Sequence, residues 1–80
     1  MKMATIKTLV EMYSLEQLTL AEEALLNEQR PAIEVEGHDD GEQLTHVLAA
    51  IEIKNDMADN GSDLRTAIRN YSLRVRNSIN

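Results

Sequence analysis

Eighty residues give room for one domain and too little for two, since folding units seldom fall far below about 50 residues. Cysteine is absent, which removes disulfides, thiolate metal sites and thiol nucleophiles and, in so small a chain, matches the reducing cytosol better than an extracellular setting. A formal charge of −6 repels nucleic acid and anionic membrane as bulk partners, and no stretch approaches the roughly 18 apolar residues of a membrane span.

Lys7, Thr8 and Glu11 interrupt any apolar run of signal-peptide length near the start, so a cytoplasmic protein is expected. Ile6, Leu9, Val10 and Tyr13 recur at i, i+3, i+4 and i+7, which stacks them on one face of a first helix over 4–13. Ser14 and Gln17 then form a capping box that opens a second helix, expected to reach Glu28 with Leu15, Leu18, Ala21, Leu25 and Leu26 inward. Pro31 lacks an amide hydrogen and pushes Arg30 out of helical geometry, so this pair is expected to stop the helix. Beyond it, Ala32 to Glu36 alternates apolar and acidic residues with the two-residue period of extended chain. That segment either docks Ile33 and Val35 on the core as a connector or pairs as an edge strand with its copy in a second subunit.

After the turn Gly37 to Gly41, Asp40 and Gln43 repeat the capping pattern and predict a third helix over 41–60, the longest. Its main apolar face is Leu44, Val47, Leu48, Ile51 and Ala58, and a second stripe of His46, Ala50, Ile53 and Met57 lies roughly 150° away on the helical wheel. Two such faces call for two partners. Asn60-Gly61 ends this helix and Ser62 is expected to cap a fourth over 63–78, with Leu64, Ala67, Ile68, Tyr71 and Val75 inward. The expectation is thus an all-α fold, a single four-helix domain over 1–80 with a Pro-led extended connector between helices 2 and 3 and an antiparallel hairpin of helices 3 and 4.

The stretch from Ala24-Leu25-Leu26 through Glu36-Gly37-His38-Asp39-Asp40-Gly41-Glu42-Gln43-Leu44-Thr45-His46, followed by Ala49-Ala50-Ile51, resembles a family of small, uncharacterised bacterial proteins. The likeness extends over most of the chain. It implies bacterial origin and a shared fold, and it brings no catalytic residues with it.

Three constellations could carry function. Glu34, Glu36, His38, Asp39, Asp40 and Glu42 crowd five carboxylates and an imidazole into nine residues, ground that hard cations favour. The spacing fails as a calcium loop, because Asp39 stands where the sixth-position glycine belongs and Thr45 where the closing glutamate belongs. The plainer reading is that Asp39, Asp40 and Glu42 complement the positive end of the third helix. His38 and His46 with Glu42 could form a mixed-ligand metal site, since Glu42 and His46 stand one turn apart, and a metal-dependent activity would centre on His38, Asp39, Asp40 and His46. No G-x-S-x-G turn or phosphate-cradling glycine loop accompanies them, so neither catalysis nor a cofactor is expected.

The charge distribution is the sharper signal. Residues 1–63 hold all fourteen acids against four bases, a formal −10, whereas 64–80 hold four arginines and no acid, +4. Arg65, Arg69 and Arg76 fall within about 40° on the wheel, and like charges so close need something negative opposite them. The counter-charge is either the protein's own acidic segment, with Glu22, Glu23 or the 34–42 loop as donors, or an acidic partner or small anion. Reading of DNA by a helix-turn-helix fits poorly, because Asp63 opens the would-be recognition helix, and two tyrosines are too few to stack bases. The leading expectation is a non-catalytic protein-interaction module, homodimeric through Ala50, Ile53, Met57 and His46. An anion or nucleic-acid binder working through the arginines is the alternative.

Overall fold

A computed structural model describes the backbone of residues 2–79 and the side chains of residues 2–77. Four helices form, α1 over Met3–Met12, α2 over Leu15–Leu26, α3 over Asp40–Asn60 and α4 over Leu64–Ile79, and among the described residues there is no strand. The all-α four-helix architecture expected from periodicity is the one observed.

Local chemistry sets each boundary. The Gln17 amide donates to Ser14 Oγ at 3.1 Å and the Ser14 amide donates to Gln17 Oε1 at 2.9 Å, the reciprocal box expected at the start of α2. The far end of α2 differs from expectation. The helix leaves off at Leu26, ahead of Pro31, because Glu28 turns left-handed at φ 57°. The Gln29 amide then reaches back to the Ala24 carbonyl at 2.8 Å and the Glu28 amide to that of Leu25 at 3.1 Å, the paired bonds of a Schellman motif built without glycine. The caps of α3 and α4 each sit one residue away from the expected position. Asp39, not Asp40, accepts from the Glu42 amide at 2.8 Å, and Asp63, not Ser62, accepts from that of Thr66 at 2.8 Å. In both cases two neighbouring polar residues could serve, and the one whose carboxylate reaches the third helical amide wins. Gly61 closes α3 in the left-handed conformation at φ 64°, as expected of it.

Residues 32–36 take the connector role. Val35 is buried and Ile33 half-buried against the core, while Glu34 and Glu36 face solvent. Gly37 lets this segment pass close to α3, where a Cβ would stand 2.7 Å from Gln43 Cγ and 2.9 Å from its backbone nitrogen.

α3 is the element against which α1, α2 and α4 all pack. Asp56 and Asn70 bond across α3 and α4, as do Glu52 and Arg74 nearer the opposite end of α4, so the two helices form the expected antiparallel hairpin. α1 runs the other way. Its N-terminal end meets His46 and its last turn meets Lys54, eight residues further along both helices, which makes α1 parallel to α3.

Three neighbours explain the two apolar faces of α3, and here the structure corrects the sequence reading. The stripe expected to stand outside the monomer is its deepest part: Ala50 and Ile53 have no exposed surface, His46 has 1 %, and Met57 is half-buried against the core. Leu48 and Ala58, expected on the main inward face, are exposed instead. The faces did need two partners, and both partners are supplied by the same chain. Ala21, Ala49, Ala50 and Ala67 are all buried, and such small side chains let the surrounding helices approach α3 closely.

Candidate functional site

On α4, Ala67 and Tyr71 face α3, with Leu64, Ile68 and Val75 half-buried along one flank. The next strip of the helix surface is Arg65, Arg69 and Arg76, all exposed. Among the described residues none of these three makes an ion pair, and the salt bridge that α4 does form joins Arg74 to Glu52 at 3.2 Å. Among the described residues, no carboxylate neutralises the stripe by direct pairing. Asp63 is the carboxylate that Arg65 influences; amide bonding from Thr66 first, and the Arg65 charge last, hold it below the usual carboxylate range. Between α4 and α1 runs an open cleft of about 400 Å³ lined by Leu64, Ile68, Arg65, Lys7 and Glu11. Half-buried aliphatic side chains form its floor, and two cations and one carboxylate stand at its rim.

Behind this face lies a polar cluster that pattern reading missed. Asp56 is only 7 % exposed, and its carboxylate accepts from Asn60 Nδ2 within α3 and from Asn70 Nδ2 of α4 at 3.2 Å. Those amide bonds, Asn60 first, hold its pKa below the ordinary 3.8, with Arg74 adding a smaller pull. The cluster opens on a shallow hollow shared with Leu73, Arg74 and Asn77. A signal was present: Asp56 follows Ile53 by three residues and precedes Asn60 by four, so it lies on the side of α3 that faces its neighbours. No buried side-chain polar atom among the described residues lacks a partner.

Part of the acidic loop gathers with His46, since Glu36, His38 and Glu42 line one open hollow with His46 and Lys2, whereas Glu34, Asp39 and Asp40 stand outside it. Asp39 is spent as the α3 cap, Glu42 Oε1 accepts from the His38 amide at 3.3 Å, and Glu36 accepts from Thr5 Oγ1 at 2.7 Å. Glu34 and Glu36 border a separate hollow with Thr5, Thr8 and Met12 of α1, and Asp40 and the His38 ring lie at the surface. His46, grouped with these residues by sequence, has both ring nitrogens engaged by backbone. Nε2 faces the Lys2 amide at 3.0 Å and Nδ1 faces the Glu36 carbonyl at 2.8 Å. An amide can only donate and a carbonyl can only accept, so these partners select the tautomer with its hydrogen on Nδ1. Among the described residues no three His, Asp or Glu side chains come together in a way that could hold a metal ion, and no helix is long and apolar enough to cross a membrane.

A family model matches residues 1–80, the whole chain. The protein belongs to a family of unknown function, DUF6952. Neither a curated protein nor a solved structure matches it significantly. Membership agrees with the resemblance drawn from the 24–51 segment and assigns no activity to any residue of this DUF6952 protein.

Proposed function

We propose that this protein is a non-catalytic protein-interaction module that grips an acidic, amphipathic partner helix along α4. The reading is carried by one observation: Arg65, Arg69 and Arg76 form an exposed cationic strip without an ion pair among the described residues, beside a cleft floored by Leu64 and Ile68. Apolar floor and charged rim are the two parts that helix-in-groove recognition uses, the first for affinity and the second for orientation and rate. We place its work in the bacterial cytosol, a setting that suits a chain without cysteine. We further propose that it works as a homodimer, because a chain of 80 residues buries a modest share of its surface and gains stability from a second subunit.

The test is affinity capture with the wild type and with Arg69→Glu as baits. A protein retained by the first and lost by the second supports the reading, and identical captures overturn it. The bare guanidinium strip also favours a second reading, an anion or nucleic-acid binder. Titration with inorganic phosphate and a short oligonucleotide separates the two, since affinity for a polyanion would fall steeply as salt rises.

A further inference from the structure

α2 is the electrostatic opposite of α4. It carries Glu16, Glu22 and Glu23 and no base, whereas α4 carries four arginines and no acid. Glu16, Leu20 and Glu23 lie at i, i+4 and i+7, which puts them on one strip of α2. That strip points away from the core, because Leu18, Ala21 and Leu25 occupy the buried side. Leu20 is 58 % exposed. Neither Glu16 nor Glu23 makes an ion pair among the described residues. One chain thus displays an acidic strip centred on an outward leucine and, elsewhere, a cleft with an apolar floor whose rim holds two cations, Lys7 and Arg65, against one carboxylate, Glu11. Each supplies what the other lacks.

We infer that the occupant of the α1–α4 cleft is α2 of a second copy of this chain. The inference rests on the proposed use of that cleft and deepens it by naming the partner. Leu20, which stands between Glu16 and Glu23 on one strip of α2, meets the apolar floor of Leu64 and Ile68, while those two glutamates meet Arg65 and Arg69. In the two-fold form the contact is made twice, α2 of each copy in the cleft of the other, which leaves no open end. Two copies of net charge −6 repel at long range, and salt screens that repulsion along with the attraction at contact, so ionic strength alone cannot test the pairing.

Exchange of the charges can test it. One variant is Arg65→Glu with Arg69→Glu, the other Glu16→Arg with Glu23→Arg, and all four positions are exposed. Light scattering should give a dimer mass for the wild type, a monomer mass for each variant alone, and a dimer mass again for their equimolar mixture, where both contacts become complementary. Restoration in the mixture also shows that both variants are folded. A monomeric wild type, a dimer that survives either pair of substitutions, or a mixture that stays monomeric overturns the inference. The proposed module is judged separately: if the wild type is monomeric yet Arg69→Glu still loses its captured protein, self-docking fails and the module stands.

Discussion

At Glu28 a side chain with a Cβ sits in left-handed backbone space that glycine fills without cost. For an L-residue this conformation costs roughly 1–2 kcal/mol, and nothing in the surroundings demands a glutamate, since the residue is exposed. Glu28→Gly should therefore raise stability by about 1 kcal/mol, less the entropy that glycine adds to the unfolded chain, as a higher urea midpoint with an unchanged slope. An unchanged or lower midpoint would show that the turn is already unstrained. This residue also shows what pattern reading cannot see. Proline is an unmistakable stop signal and drew the end of α2 toward residue 31, whereas a glutamate taking the glycine conformation leaves no trace in composition. The caps at Asp39 and Asp63 were hidden for a different reason: each has a polar neighbour of equal capping ability, and reach decides between them.

Between elements, the α3–α4 hairpin is closed at one end by Gly61 and held further along by Asp56, which accepts from an asparagine on each helix. Because its carboxyl pKa is lowered in the folded state, Asp56 contributes stability above the unfolded value near 3.8 and loses that contribution as pH falls through the folded one. Acid unfolding of the wild type should accordingly steepen below about pH 4. Asp56→Asn removes part of this dependence. It does not remove all of it, because the Asp63 carboxyl is lowered as well. Thermal melts of both proteins from pH 3 to pH 7 are the measurement, and parallel curves across the range would rule Asp56 out as a pH-linked latch. The salt bridge from Arg74 to Glu52 adds little, since both side chains are about half exposed at 51 % and 48 % and such pairs contribute roughly 0–1 kcal/mol.

Over the whole molecule, the arrangement of helices around α3 decides what substitutions there do. Periodicity located the four helices, the inward face of α4 and the need of α3 for two sets of neighbours. It could not say whether those neighbours came from one chain or two, because a helical wheel records angle and not what stands opposite. Ile53→Glu separates the cases. At a surface between subunits it would split a dimer and leave the helices intact. With Ile53 fully enclosed, it places a carboxylate where burial of an aliphatic side chain otherwise gives about 1.5–3 kcal/mol, and far-ultraviolet circular dichroism should report loss of helix. A folded, fully helical variant would contradict the enclosure. The arginine strip, by contrast, was legible from sequence, since charge and helical angle suffice to define an exposed face. The cleft beside it was not, because it depends on Lys7 and Glu11 arriving from α1.

The parallel run of α1 along α3 has a kinetic meaning. Helices joined by a short turn, as α3 and α4 are through residues 61–63, meet after a small loop closure. The Lys2 amide and His46 are 44 residues apart in sequence, as are Val10 and Lys54, and neither contact can form until α2 and the connector have carried the chain back. Closing so long a loop costs more entropy and is repaid only when the docked helix buries Ile6, Leu9 and Val10. Loop closure thus favours early formation of the C-terminal hairpin, and pulse-labelled hydrogen exchange should find α4 amides protected before those of α1, with the reverse order counting against this route.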